Sequence, residues 1–264
     1  MNSPYAKKSL GQHWLHDSAA LSAMASAADV KEGDTVLEIG PGTGTLTTVL
    51  LQRGARVIAV ELDQDRIPEL RRDFKDAAFE VHEESILEFD LTQLPPDYKL
   101  VANIPYYLTS HLIRILSESK NRPTVATLLV QKEVAERVSA TPGSMSLLSV
   151  SAQYYWEVSM DMVVPARLFT PPPKVDSQVL VMKRRDTPLF DVDEKLFFQI
   201  VKAGYSNRRK KVSNSLAGGL RITKPAATEL LVTAGLSPDV RAQELSLEDW
   251  HQLYQAYYPT NVSE

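Results

Sequence analysis

Glu38-Ile39-Gly40-Pro41-Gly42-Thr43-Gly44 follows an apolar run, Val36 to Ile39, and precedes a helical stretch that opens with Thr45 and ends near Gly54. Strand, glycine loop and helix in that order hold a nucleotide-type ligand in a parallel α/β sheet, because residues without a Cβ let the main chain approach the ligand closely. About twenty residues on, Glu61 closes the next apolar run, Val57 to Val60, where a carboxylate can accept both hydroxyls of an adenosyl ribose. A dinucleotide loop reads G-x-G-x-x-G and sets a pyrophosphate on the helix N-terminus. Here the order is G-x-G-x-G. That favours S-adenosylmethionine, which has no phosphate, over NAD, with a purely structural glycine turn as the remaining reading.

Outward from this loop the rhythm repeats. Apolar runs at Phe79 to Val81, Leu100 to Ala102 and Val125 to Val130 read as further buried strands, most of them separated by amphipathic helical stretches. Residues 17 to 28 form a helix with Asp17 or Ser18 as its cap, and Pro68 makes the helix after Asp63 start late or kink. Met160 to Val164 and Val179 to Met182 are joined by a proline-rich segment in place of a helix, which predicts an antiparallel pair at the end of the sheet. Beyond Arg185 only helical patterns remain. The expected fold is α/β, a Rossmann-like domain over residues 1–187 followed by a small all-helical domain over 188–264.

With 264 residues, 44% of them hydrophobic, the chain can bury a full core. It has no cysteine, which excludes disulfides, thiolate metal sites and a cysteine nucleophile. No metal site is expected. Apolar runs stay below the roughly 18 residues of a membrane span, and the start, MNSPYAKKSLGQ, has neither an apolar core nor a cleavage site. A soluble, cytoplasmic monomer without membrane contact is expected. The net charge of −4 argues against a general nucleic-acid binder, yet the basic charge is clustered: KAGYSNRRKK, from Lys202 to Lys211, contains no acid, and Lys7 and Lys8 stand in an acid-free arm.

A second motif, Asn103-Ile104-Pro105-Tyr106, stands at the end of the fourth parallel strand. An adenine amine is a poor nucleophile because its lone pair is delocalised into the ring. The Asn103 side-chain oxygen and the Ile104 carbonyl can accept its hydrogens, drawing it toward tetrahedral geometry and aiming the lone pair at a methyl group. Pro105 stiffens the backbone, and Tyr106 offers a face for an extruded base.

The chain resembles the ribosomal RNA adenine dimethyltransferases of the KsgA type along nearly its whole length. The resemblance rests on the two motifs above, on Gly11-Gln12-His13-Trp14-Leu15 where the family has GQNFL, on QKEV at Gln131 to Val134, on SVSAQYY at Ser149 to Tyr155, and on LFTPPPKVDS from Leu168 to Ser177. It implies a methyltransferase that dimethylates two adjacent adenosines in a hairpin near the 3′ end of small-subunit RNA during ribosome assembly. It implies that His13 and Leu15 meet the methionine end of the cofactor and that Gly40 and Gly42 line its loop. Glu61, with Leu62 beside it, would hold the ribose, Asn103 would stand between cofactor and target, and Phe169 would pack on the target base opposite Tyr106.

Two departures from the family are evident. Its aspartate for the cofactor's adenine amine falls on Ser85, where the Ser85 hydroxyl or Glu84 can accept instead. His13 stands in place of asparagine. The resemblance also implies that Arg208, Arg209, Lys210 and Lys211, with Lys7 and Lys8, grip RNA phosphates. Competing readings are a large-subunit adenine methyltransferase of the antibiotic-resistance type, a DNA adenine methyltransferase, and a non-catalytic assembly or transcription factor.

Overall fold

The computed structural model describes residues 6–7, 10–207 and 209–261. Lys8 and Arg208 lie outside them. The chain divides into two compact units, residues 1–136 with 156–184, and residues 137–155 with 185–264.

In the first unit, the short strand β1 (Trp14–Leu15) leads into α1 (Ser18–Ala27), capped by the Asp17 carboxylate, which accepts from the Ala20 N–H at 2.8 Å. Then come β2 (Thr35–Ile39), α2 (Thr45–Gln52), β3 (Arg56–Glu61), α3 (Ile67–Asp73), β4 (Phe79–Glu83), β5 (Lys99–Asn103), α4 (Thr109–Glu118), β6 (Val125–Gln131) and α5 (Lys132–Val138), whose last two residues fall in the second unit. Pro68 sits in the first turn of α3, where its missing N–H costs nothing, so the helix starts late. The unit is completed by β7 (Trp156–Val164), β8 (Phe169–Thr170) and β9 (Ser177–Arg184).

The main sheet runs in the order β4-β3-β2-β5-β6-β9-β7, with β4 to β6 along that order all parallel. β9 pairs antiparallel with both β6 and β7, so the expected antiparallel pair is present, with its second member inserted next to the parallel set. The central strands are buried on both faces and therefore read as unbroken apolar runs. Phe79 to Val81 does not behave as a buried strand: β4 is the sheet's edge, and only Val81 in it is buried. Chain order reverses between β2 and β5. In such sheets, ligands bind at the carboxyl ends of the strands beside that reversal, and Ile39, Glu61 and Asn103 are the last residues of β2, β3 and β5.

The second unit is helical, with α6 (Leu147–Tyr155), α7 (Glu194–Gly204), α8 (Val212–Leu220), α9 (Lys224–Thr233) and α10 (Leu247–Asn261). Its core holds Tyr154, Phe197, Ile200, Leu216, Leu231 and Trp250, all essentially buried. Gly204 and Gly219 are where helices touch: a Cβ at Gly204 would lie 2.4 Å from the Trp250 ring, and one at Gly219 would lie 2.5 Å from the Ala203 Cβ. Residues 137–155 group with these helices, although the sequence alone put them inside the first domain. The physical reason is that Tyr154 and Tyr155 pack on Phe197 and Phe198, with ring centroids 4.8–5.9 Å apart within that cluster.

Candidate active site

At the carboxyl edge of β2, β3 and β5 the glycine loop, residues 10–15, residues 84–87 and residues 103–108 surround one cavity. The loop glycines have left-handed φ angles, but for different reasons. At Gly44 (φ +76°) a Cβ would stand 2.7 Å from the Phe74 ring, so this glycine serves packing between α2 and α3. At Gly40 (φ +66°) a Cβ would meet nothing within 4 Å, so the open space there belongs to the cavity.

Glu61 is buried, and its carboxylate is organised by the main chain: one oxygen accepts from the Gly42 N–H at 3.0 Å, the other from the Asp63 N–H at 2.8 Å. Desolvation pushes its pKa up, and those hydrogen bonds partly offset the rise. Each oxygen keeps a further lone pair for a ligand hydroxyl. Leu62 stands beside it, half exposed. Glu84, Ser85, Ile86 and Leu87 line the far end of the cavity, where the Ser85 hydroxyl accepts from the Leu87 N–H at 3.2 Å and keeps its own proton and a second lone pair.

Sequence reasoning gave no role to Glu38, the first residue of the glycine motif. It is fully buried, one oxygen accepts from the Thr47 hydroxyl at 2.6 Å, and the other has no partner among the described residues. Desolvation, with the Glu61 charge nearby, pushes its pKa up to about 8. Its signal in sequence was an acid next to the end of an otherwise apolar strand.

Asn103 closes β5 with its carboxamide nitrogen donating to the His13 carbonyl at 3.0 Å. That bond fixes which way the amide is turned, leaving Oδ1 as an acceptor. Tyr106 hydrogen-bonds with the Ser177 hydroxyl at 2.8 Å, and burial raises its pKa. The His13 ring lies over Tyr106, interplanar angle 21° and centroids 5.8 Å apart, and its Nδ1 bonds to the Pro171 carbonyl at 2.8 Å. Pairing of β1 with β8, in the register Trp14↔Thr170 and Leu15↔Phe169, brings these segments together. Two-residue strands carry no readable period, so nothing in the sequence announced that pairing.

Two of the expected site residues already have partners within the chain. Phe169, paired with Leu15 in the β1–β8 register, is 3% exposed and packs in a core cluster with Leu15, Val164 and Val179. Lys7 is not an unpaired cation. Its ammonium lies 2.5 Å from Asp63 and 2.6 Å from Asp65, and the Gln12 amide nitrogen donates to the same Asp63 at 3.0 Å. Burial pushes the Asp63 carboxyl up, but the bonds from Lys7 and Gln12 outweigh it and hold it below the usual carboxylate range. Lys211 pairs with Asp239 at 2.5 Å, whereas Arg209 and Lys210 are exposed without an ion pair among the described residues.

Among the described residues no His, Asp or Glu cluster could hold a metal ion, and no helix is long and apolar enough to cross a membrane.

A cavity at the reversal point, a buried ribose-type carboxylate and an asparagine at the next strand's end are the parts of an adenosyl site. The sequence model described as ribosomal RNA adenine dimethylase matches residues 4–258. The chain belongs to that family. As a family member it is an S-adenosylmethionine-dependent methyltransferase, and its RNA class is ribosomal. This dimethylase is 42% identical over 257 residues to the "Ribosomal RNA small subunit methyltransferase A" of Dehalococcoides mccartyi strain CBDB1, covering 96% of this chain and 88% of that one. A protein of the same name from Streptococcus equi subsp. zooepidemicus is 40% identical over 266 residues, covering 95% and 91%. Among solved structures, a dimethyladenosine transferase from Plasmodium falciparum superposes on the dimethylase with a TM-score of 0.80 at 25% identity, covering 94% and 98%. The 23S rRNA methyltransferase ErmE does so with a TM-score of 0.75 at 28% identity, covering 92% and 98%. The higher identity to small-subunit enzymes decides against the large-subunit reading.

Proposed function

We propose that the chain dimethylates the exocyclic amines of two adjacent adenosines in a hairpin near the 3′ end of small-subunit ribosomal RNA during ribosome assembly. The observation that carries this reading is Asn103: anchored through its nitrogen to the His13 main chain, it keeps one carboxamide oxygen as an acceptor on the cavity that Glu61 also lines. When bound, S-adenosylmethionine supplies an electrophilic methyl.

This chain's residues do the rest. Glu61 takes the ribose hydroxyls, Leu62 covers the adjoining ring, and Ser85 or Glu84 accepts from the adenine amine. His13 and Leu15 meet the methionine end, and Gly40 and Gly42 line the loop beside it. Asn103 Oδ1 and the Ile104 carbonyl accept from the target amine and turn its lone pair out of conjugation, while Pro105 keeps the turn stiff and Tyr106 stacks on the base. The amine's displaced proton passes to solvent, so the site needs no base.

The α/β unit is the catalytic domain and the helical unit the RNA-recognition domain. Arg209 and Lys210 meet phosphates, together with Lys8 and Arg208. The protein acts as a cytoplasmic monomer. Incubating it with immature small subunits and labelled S-adenosylmethionine tests the reading: label in dimethyladenosine near the 3′ end is expected, and label in the large subunit alone, in DNA, or nowhere refutes it.

A further inference from the structure

The edge of the main sheet that carries Asn103 continues past Tyr106. The pairings Asn103↔Leu129, Gln131↔Ser177 and Ser177↔Val164 set the end of β6, the start of β9 and the end of β7 in one row beside β5. One residue ties the segments that leave this row. The Asp176 carbonyl accepts from the Lys132 N–H at 3.1 Å, and the Asp176 carboxylate accepts from the Ala166 N–H at 2.9 Å. Ser177, next in the chain, hydrogen-bonds with the Tyr106 hydroxyl.

Each of those segments carries an exposed cation: Lys132 opening α5, Arg167 in the turn after β7, and Lys174 directly behind the run Pro171-Pro172-Pro173. Among the described residues none of the three has an ion pair, unlike Lys7 and Lys211. Two acids share the rim. Asp176 has its carboxylate turned onto the Ala166 N–H, while Glu133 on α5 is exposed and offsets the Lys132 end most. None of the three cations lines the cofactor cavity.

We infer that Arg167 and Lys174, supported by Lys132, hold the RNA phosphates that flank the extruded adenosine, an inference that rests on the function proposed above. Cations without an internal partner, set on a backbone that prolines stiffen and Asp176 ties down, suit a polyanion, because little ordering is left to be done on binding. Three strand spacings, from β5 through β6 and β9 to β7, make about 14 Å. At one phosphate per roughly 3.4 Å of a stacked strand, the rim spans about four nucleotides. A base that leaves its stack loses that support, and phosphates anchored on the catalytic unit keep the strand in register while it does.

Two pairs of substitutions separate position from charge. Arg167→Ala with Lys174→Ala removes two cations from the rim, whereas Lys120→Ala with Lys183→Ala removes two exposed cations from the opposite edge of the sheet, where β6 starts and β9 ends. The probe is a fluorescently labelled RNA hairpin with two adjacent adenosines in its loop, titrated by anisotropy at several salt concentrations with protein saturated with S-adenosylhomocysteine. The rim pair should bind about tenfold more weakly near 0.1 M salt, with a log–log salt slope smaller by roughly 1.4–1.8, the share of two phosphate contacts. The control pair should change the slope by less than about 0.5. Calorimetric affinity for S-adenosylhomocysteine should stay parental in both. A parent that does not bind the hairpin, a rim pair with the parental slope, a control pair as weak as the rim pair, or a rim pair that also loses the cofactor overturns the inference. If the alanine rim pair does not fold, Arg167→Gln with Lys174→Gln repeats the comparison with long neutral side chains. Parent methyl transfer to immature small subunits is measured alongside; its failure sinks the proposed function, whereas the salt series alone decides the role of the rim.

Discussion

The Asn103 side chain and the His13 carbonyl, 90 residues apart in sequence, are joined by a hydrogen bond of 3.0 Å. The bond turns the carboxamide so that its oxygen, and not its nitrogen, is left for a substrate amine. Asn103→Ala removes a partly exposed side chain and should leave the melting temperature within a few degrees while lowering methyl transfer by at least about 100-fold, the usual loss when an orienting acceptor is deleted. Transfer to small-subunit RNA at parental rates by the variant would contradict the mechanism.

Glu61 supports both ligand and loop. Glu61→Ala should reduce affinity for S-adenosylhomocysteine at least about tenfold by calorimetry, since two charge-assisted hydrogen bonds to ribose are lost. It should also lower stability by about 1–3 kcal/mol, because the Gly42 and Asp63 N–H groups lose their acceptor in a buried place. Unchanged cofactor affinity would remove Glu61 from the site.

The glycines of one loop should fail differently. Gly44→Ala drives a methyl into the Phe74 ring at a left-handed φ, so it should cost about 2–4 kcal/mol in denaturant titration. Gly40→Ala has the same backbone strain, about 1 kcal/mol, and no clash. Its methyl enters the cavity instead, so the larger effect should be on cofactor affinity. Equal stability losses for the two variants would refute the division.

Glu38 makes stability depend on pH. Its folded pKa of about 8 lies above that of an unfolded glutamate, so its neutral form belongs to the native state. The contribution is complete below about pH 4.5 and is lost as pH rises toward about 8, with an upper bound of about 5 kcal/mol. Glu38→Gln, which mimics the neutral acid, should flatten the fall of melting temperature across that window relative to the parent. Parallel curves for the two proteins would show that Glu38 does not cause it.

Salt dependence should separate the basic residues. Removing Arg209 and Lys210 together should reduce the log–log salt slope of RNA binding by roughly 0.7–0.9 per residue. Lys211→Ala should change it less, because Asp239 already pairs with that ammonium. An unreduced slope in the double variant would take Arg209 and Lys210 off the RNA.

Much of this architecture could be read from the chain. The central strands were legible because burial on both faces leaves no polar alternation, and β4 misled because a sheet edge with one neighbour does not need it. At the site, Gly40, Glu61 and Asn103 were legible because each sits at a strand end within a contiguous motif. The capture of Lys7 by Asp63, the pairing of Phe169 with Leu15 and the stacking of His13 on Tyr106 were not. All three follow from where the arm and the proline-rich segment lie, which short-range spacing does not encode.

The helical unit draws on two stretches of chain, 137–155 and 185–264, so the backbone passes between the units three times. No single scission can therefore release either one whole. A protein ending at residue 187 would keep Tyr154 and Tyr155 while discarding the Phe197 and Phe198 rings they lean on, leaving an oily scar on the remaining enzyme. Any graft that swaps substrate recognition between relatives has to transplant both pieces at once.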